Sequence, residues 1–166
     1  MGVEIERKFL VVNERWREEA TSVQWVAQGY LCLEEHLTVR VRVMARRGWI
    51  TIKGRPLEGK LSRPEYEYEV PLDEAQELLE RLARHGRIEK RRYTVPVQEE
   101  VGQVRIWEVD EFEGENRGLV LAEVELREEG ERIVLPDWVG QEVTRDRRYA
   151  NSYLARYPFT RWERVG

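Results

Sequence analysis

Eight segments of the chain alternate polar and apolar residues, a pattern typical of β-strands that bury one face. They span about 3–11, 26–33, 37–45, 49–54, 65–70, 87–95, 103–112 and 119–127. Turn residues such as Arg47-Gly48 join neighbouring segments, which favours antiparallel pairing. The sequence therefore predicts a mostly antiparallel sheet with enough strands to close into a barrel.

Helices are predicted beside the strands. The first spans about 73–85, where Asp73 is the expected N-cap, leucines form an apolar stripe and Gly86 follows the last turn. A second helix over about 145–157 is indicated by aromatic residues at helical spacing, and a short third one follows Asn13. The predicted fold class is therefore α+β: an eight-stranded antiparallel β-barrel, or tunnel, with flanking helices.

The length and charge of the chain limit what it can bind. Its 166 residues suit one domain over 1–166. A net charge of −4 gives no general affinity for nucleic acid or acidic membranes, and no apolar run has the length of a membrane span. The single cysteine, Cys32, excludes an internal disulfide and a cysteine-based metal cluster. We therefore expect a cytoplasmic protein whose partner is a small molecule.

Charged residues form 36% of the chain, and on the strands they are sorted by sign. Residues two apart on a strand share a face and lie about 7 Å from each other. At that distance two like charges repel by about 0.6 kcal/mol in water and by about 2.4 kcal/mol at an effective dielectric of about 20. The sets of this kind are Glu4/Glu6, Arg40/Arg42, Glu65/Glu67/Glu69, Lys90/Arg92, Glu108/Asp110 and Glu123/Glu125.

These charged faces have two interpretations. Each could be the solvated side of an open sheet, which is the common case for a single strand. Solvated faces usually mix both signs, however, whereas each of these sets carries one sign. Inside a closed barrel, the acidic strands would hold hard divalent ions such as Mg²⁺ or Mn²⁺, and the basic strands would hold a phosphate-rich polyanion.

The N-terminal motif Glu4-Ile5-Glu6-Arg7-Lys8 resembles the Glu-x-Glu-x-Lys signature of the CYTH domain superfamily, the triphosphate tunnel metalloenzymes. Further motifs extend this resemblance, in the family's order, over nearly the whole chain. They are Gln28-Gly29-Tyr30-Leu31, Val39-Arg40-Val41-Arg42, Thr51-Ile52-Lys53, Ser62-Arg63-Pro64-Glu65-Tyr66-Glu67, Glu89-Lys90-Arg91-Arg92-Tyr93, Val109-Asp110, Glu123-Val124-Glu125 and Val143 through Asn151. The resemblance implies an eight-stranded antiparallel tunnel.

The resemblance also implies roles for individual residues. The triphosphate-binding residues it implies are Lys8, Arg40, Arg42, Lys53, Arg63, Lys90 and Arg92. The implied ligands of two divalent ions are Glu4, Glu6, Glu65, Glu67, Asp110, Glu123 and Glu125. The residues expected to carry the chemistry are Glu4, Glu6, Lys8, Lys90 and Asp110. Arg63 is as well suited to pair with Glu65 as to clamp phosphate, and Glu69 is expected at the solvent end of its strand. Some family members carry lysine at the position of Arg147, whose role here stays open.

The function implied is hydrolysis of linear triphosphates, with inorganic tripolyphosphate cleaved to pyrophosphate and phosphate, as in the short bacterial triphosphatase branch. Within the same superfamily, ATP cyclisation and the hydrolysis of nucleoside or thiamine triphosphate are alternatives. From a different class, a non-catalytic polyphosphate-binding module or a solvated sheet that binds another protein is possible. The sequence leaves the oligomeric state open between a monomer and a homodimer.

Overall fold

Ten β-strands form one antiparallel sheet in the computed structural model, which describes residues 2–56 and 58–162. The strands are β1 (Gly2–Glu4), β2 (Glu6–Val11), β3 (Ser22–Glu34), β4 (Leu37–Met44), β5 (Arg47–Gly54), β6 (Arg63–Val70), β7 (Arg87–Gln98), β8 (Val104–Phe112), β9 (Val120–Glu125) and β10 (Val139–Glu142). Their order across the sheet is β1-β6-β5-β4-β3-β7-β8-β9-β2-β10. The antiparallel arrangement predicted from alternation is confirmed.

The first segment of the chain closes this sheet into a barrel. It is divided at Ile5 into β1, which pairs with β6, and β2, which pairs with β9. Glu4 accordingly lies opposite Arg63, and Glu6 lies opposite Glu125. The hydrogen-bond ladder is interrupted between the two halves, but Ile5 joins them covalently and its carbonyl accepts a bond from the N–H of Leu126 at 2.8 Å. One continuous stretch of chain therefore holds both sides of the barrel.

The alternation pattern does not reveal two of the ten strands in the described ranges. One arises because the predicted strand over 3–11 splits at Ile5. The other, β10, is only four residues long and has a single apolar residue, Val139, so no alternation marks it. The strand β7 also extends further than predicted, to Gln98, because its last residues pair with the first residues of β8, where Gln98 lies opposite Val104.

Three short α-helices accompany the barrel within residues 2–56 and 58–162: α1 (Trp16–Glu19), α2 (Leu72–Arg81) and α3 (Asn151–Arg156). Asp73 does not cap α2, because Pro71 occupies that position and the helix begins one residue earlier. The predicted helix over 145–157 is shorter because the Asp146 carboxylate accepts the backbone N–H of Arg148 and starts a separate 3₁₀ turn. In the described part of the chain, no helix has the length and apolar character needed to cross a membrane.

Apolar clusters cover the outside of the barrel. The residues Ala75 and Leu79 of α2 pack against Ala27 and Val41 on the outer face of β3 and β4. A larger cluster, on the outer face of β2, β7, β8 and β9, includes Phe9, Trp16, Val95, Trp107, Val109, Val124 and Trp138. Because strand side chains alternate between faces, burying these residues outside turns their charged neighbours inward.

The helix α3 lies across one end of the barrel. At that end the inner face is apolar, and Leu154 of α3 is buried there in a cluster with Ile88, Phe112, Leu119, Leu121 and Val143. The last residue of the helix, Arg156, donates a hydrogen bond to the carbonyl of Leu33 at the end of β3, at 3.3 Å. The helix α3 therefore closes one end of the charged interior.

The approach of α3 to the barrel depends on Gly86. A Cβ atom at this position would lie 1.9 Å from the carbonyl oxygen of Ala155 in α3, and the backbone φ of Gly86 is +101°. We expect Gly86→Ala to lower the free energy of unfolding, because it combines a left-handed conformation with a clash against backbone. Urea unfolding followed by circular dichroism measures this loss.

The matched control is Gly102→Ala, where φ is +80° and a Cβ would meet nothing within 4 Å. The control should lose about 1–2 kcal/mol for the left-handed conformation alone. Gly86→Ala should lose roughly 1–3 kcal/mol more, the usual cost of overpacking. Equal losses in the two variants would show that α3 is not seated against Gly86.

Candidate active site

The barrel encloses a cavity of about 210 Å³ whose wall is almost entirely polar. Six cationic and seven acidic side chains line it among the described residues. The lining residues are Glu4, Glu6, Lys8, Tyr30, Thr38, Arg40, Arg42, Thr51, Lys53, Arg63, Glu65, Glu67, Arg92, Glu108, Glu123, Glu125, Ala150, Asn151 and Ser152. Charged side chains from eight of the described strands thus meet in one cavity. This arrangement excludes the interpretation that the charged faces are the solvated side of an open sheet.

Twelve of the fourteen side chains predicted as site residues line this cavity. The other two, Lys90 and Asp110, lie behind the wall and are fully buried. Glu69 forms an ion pair with Arg47 at 3.1 Å and is largely exposed, as expected for the solvent end of β6. Arg147 is exposed and outside the lining.

On the acidic side, Glu4 is the most strongly held carboxylate. Its Oε2 lies 2.8 Å from Nζ of Lys53 and 3.1 Å from Nε of Arg63. Burial works to raise the pKa of Glu4, but these two cations hold it well below its usual range. Arg63 therefore pairs with Glu4 and not with Glu65, and its role in phosphate binding stays a prediction.

Its neighbour Glu6 has the opposite environment. Burial, together with Glu123 and Glu4, raises the pKa of Glu6 to about 8. Glu6 forms no ion pair with any residue that the structure describes. The same causes, burial and nearby carboxylates, also raise the pKa of Glu125 and Glu65. The acidic side thus holds more negative charge than its lysine and arginine neighbours compensate.

On the basic side, two guanidinium groups from β4 face the cavity with unused donors. Arg40 donates from Nη2 to Oγ1 of Thr51 at 3.1 Å, and its buried Nε has no partner. Arg42 donates from Nε to Oε1 of Gln28 at 3.1 Å and, within the described residues, forms no ion pair. Burial, together with Arg40 and Arg92, lowers the pKa of Arg42 to about 9. The nearest carboxylate to Arg40 in an ion pair is Glu67, whose Oε2 is 3.8 Å from Nη2 of Arg40, so the positive charge of this half of the wall is only partly compensated by the described residues.

Behind the wall, Asp110 binds two cations. It accepts two bonds from Arg92, at 2.8 and 2.9 Å, and lies 2.7 Å from Nζ of Lys90. Although burial opposes them, Arg92 and Lys90 hold the pKa of Asp110 well below its usual range. Burial lowers the pKa of Lys90 to about 7, against the opposing effect of Asp110. Both carboxylate oxygens of Asp110 are therefore occupied by cations. This geometry does not fit the expectation that Asp110 is a metal ligand. Asp110 orients Arg92 instead.

Several polar residues of the site do not stand out in the sequence. Thr38 and Thr51 line the cavity, and Gln28 supports Arg42 from behind. Alternation could have found them, since Thr51 shares a face with Lys53 and Gln28 shares one with Tyr30. Asn151 also lines the cavity, but it belongs to α3 and not to a strand, so alternation gives no signal for it.

The acidic half has the donor chemistry of a divalent-cation site. Its donors are carboxylate oxygens, which suit Mg²⁺ or Mn²⁺, and no His or Cys is among the lining residues described. No three such side chains in the described ranges converge as a preformed metal-binding group, because Glu4 is turned toward Lys53 and Arg63. A cation would bind first to Glu6 and Glu125, which form no ion pairs with the described residues. It would bind to Glu4 only after that carboxylate left Lys53 and Arg63.

Comparison with known proteins agrees with this geometry. The chain is 45% identical over 159 residues to an inorganic triphosphatase of Acetivibrio thermocellus, covering 96% of this chain and 97% of the relative. It is 36% identical over 155 residues to an inorganic triphosphatase of Nitrosomonas europaea, covering 92% and 96%.

Solved structures show the same fold. A crystal structure of the inorganic triphosphatase NE1496 matches with a TM-score of 0.64 and 30% identity, covering 92% of this chain and 97% of that one. A Hippeastrum protein described as a putative adenylyl cyclase with dominant triphosphatase activity matches with a TM-score of 0.57 and 14% identity, covering 75% and 80%, a likeness of fold alone. The family model of the CYTH domain matches residues 2–157. By this match and by these relatives, the chain belongs to the CYTH domain family.

Proposed function

We propose that the protein hydrolyses linear triphosphates, with inorganic tripolyphosphate as the preferred substrate and pyrophosphate and phosphate as products. The observation that carries this proposal is the pair of guanidinium groups on β4 that line the cavity. Arg42 forms no ion pair with any residue that the structure describes, and Nη2 of Arg40 is 3.8 Å from Oε2 of Glu67, beyond hydrogen-bond distance. Buried donors of this kind are costly unless an anion completes them, and phosphate oxygens match the guanidinium geometry.

The relatives support the choice of substrate within the family. Both curated relatives are named inorganic triphosphatases, and the chain covers nearly the full length of each. The cavity lining supports it too, because most of the lining side chains are charged and few could pack against a nucleoside or a thiamine group. Tyr30 is the one aromatic side chain among the described lining residues, and it is buried.

A divalent cation, Mg²⁺ or Mn²⁺, is part of the proposal, and two ions are expected. Glu6, Glu125, Glu123 and Glu4 are the side chains that would hold them, with Glu65 at the rim of the same acidic surface. When bound, the ions supply neutralisation of phosphate charge and a polarised water. Glu67 is less suited than these, because its carboxylate accepts the hydroxyl of Thr51 at 2.7 Å.

The chain's own residues would bind and orient the substrate. Lys8, paired with Glu123 at 3.6 Å, and Arg92, held by Asp110, line the same cavity as Arg40 and Arg42. Phosphoryl transfer needs charge stabilisation and in-line positioning more than covalent catalysis, and this wall provides fixed cations for both. The location we propose is the cytoplasm, where the free thiol of Cys32 stays reduced.

A phosphate-release assay tests this function directly. With Mg²⁺ or Mn²⁺, tripolyphosphate should be cleaved faster than pyrophosphate, ATP or thiamine triphosphate, because six lining cations offer more contacts than a diphosphate can use. Pyrophosphate should accumulate as a product, and EDTA should stop the reaction. Equal rates on pyrophosphate, or cyclic AMP as the main product from ATP, would reject the proposal, and binding without any turnover would favour a non-catalytic polyphosphate-binding module.

Removal of Arg42 should weaken triphosphate binding. We expect Arg42→Ala to bind a methylene-bridged tripolyphosphate analogue more weakly by at least about 1.5 kcal/mol, the size of one charge-assisted hydrogen bond. Isothermal titration in Mg²⁺ measures the affinity. Arg81→Ala removes the same charge from the exposed face of α2 and should leave the affinity within about 0.5 kcal/mol of wild type. An unchanged affinity for Arg42→Ala contradicts the role assigned to this wall.

Glu6 should make the cation-free protein less stable as pH rises. Its folded-state pKa of about 8 exceeds the ordinary 4.5, so the folded state binds this proton more tightly than the unfolded state does. The contribution of Glu6 to the free energy of unfolding is therefore lost progressively between about pH 4.5 and 8. Urea melts in EDTA should show this fall in wild type, and Glu6→Gln should reduce it.

The control for this measurement is Glu80→Gln, an exposed position on α2. It should leave the pH dependence of the free energy of unfolding as in wild type. In Mg²⁺, Glu6→Gln should also lose turnover while remaining folded. If Glu6→Gln and wild type show the same pH dependence, Glu6 is not an uncompensated carboxylate.

A further inference from the structure

A chain of side-chain hydrogen bonds connects the cavity wall to α3. Arg42 donates from Nε to Oε1 of Gln28 at 3.1 Å, and Gln28 donates from Nε2 to Oδ1 of Asn151 at 3.4 Å. Lys90 donates from Nζ to the same oxygen of Asn151 at 3.0 Å. Gln28 and Lys90 are fully buried, so these bonds form in the low-dielectric interior, where a hydrogen bond is electrostatically stronger.

The cations at both ends of this chain fix the orientation of the two amides. A guanidinium has donors only, so the oxygen of the Gln28 amide must face Arg42 and its nitrogen must face Asn151. The atom of Asn151 that meets this nitrogen, and Nζ of Lys90, must then be the oxygen. The amide nitrogen of Asn151, Nδ2, therefore points away from Gln28 and Lys90.

Nδ2 of Asn151 has no acceptor among the residues that the structure describes. Four buried side-chain nitrogen atoms of the described residues have no hydrogen-bond partner: Nε of Arg40 and the indole nitrogens of Trp49, Trp107 and Trp138. Nδ2 of Asn151 is not in this set, so it is not shut off from the cavity. Since Asn151 lines the cavity, its free N–H groups are open to whatever the cavity holds. Lys8, Arg42 and Arg92 line the same cavity.

We propose that Asn151 is a substrate-binding residue, which donates a hydrogen bond from Nδ2 to a non-bridging oxygen of the bound triphosphate. This inference rests on the proposed function. An uncharged donor contributes to phosphate binding without adding to the repulsion between the cations that already crowd this wall. The amide oxygen of the same residue holds Lys90, so one side chain supports the wall and contacts the ligand.

Titration of the methylene-bridged tripolyphosphate analogue in Mg²⁺ tests the contact. Asn151→Ala should bind the analogue about ten-fold more weakly than wild type, in the range of one hydrogen bond to a charged group. Gln141→Ala, an amide removed from the exposed strand β10, should bind it like wild type. If wild type does not bind the analogue, the proposed function fails; if wild type binds it and Asn151→Ala binds equally well, only the role of Asn151 fails.

A second measurement keeps the wild-type side chain and separates direct contact from support of Lys90. In ¹⁵N-labelled wild-type protein, the side-chain amide pair of Asn151 is assigned by its absence in Asn151→Asp, which retains an oxygen toward Lys90. On addition of the analogue, one Hδ2 resonance should move downfield, as expected for a proton donated to a phosphate oxygen, while the Gln141 amide pair stays in place. An Asn151 amide pair that does not move on saturation with the analogue overturns the proposal.

Discussion

Charged side chains enclosed by a closed sheet must balance one another, because a low-dielectric interior penalises any charge left alone. This requirement accounts for the contacts seen inside the barrel, where Lys53 binds Glu4, Lys8 approaches Glu123 and Arg92 is clamped by Asp110. It also accounts for what lies outside. Because the inner face carries charged side chains, much of the apolar core lies on the outer surface of the strands, where α1 and α2 cover it.

The balance inside the barrel is incomplete at two places. Burial and the neighbouring carboxylates raise the pKa of Glu6 to about 8, and Arg42 has a guanidinium that forms no ion pair in the described chain. Each costs stability in the protein alone, and each is relieved by a ligand of opposite charge. A triphosphate bound together with divalent cations would neutralise both at once, so substrate and cation should bind more tightly together than either does alone.

Alternation in the sequence predicts which side chains face inward, but it does not predict their depth. Lys8, Lys90 and Arg92 all lie on inner faces, as their parity requires, yet Lys90 is sealed behind the wall while the other two line the cavity. Depth depends on the stagger between strands, which no local pattern records. The helix predicted over 145–157 is found only over Asn151–Arg156, where burial of Leu154 positions its six residues.

The position of α3 is in turn decided by backbone contacts far from any charge. Gly86 admits the carbonyl of Ala155 only because it lacks a Cβ, and this approach fixes the helix against β7. Asn151 begins the same helix and reaches Lys90 directly and Arg42 through Gln28. Displacing α3 would therefore remove the acceptor of Lys90 and the acceptor of the Gln28 amide that holds Arg42, and it would also open this end of the cavity. The apolar end of the barrel thus sets the geometry of its charged interior.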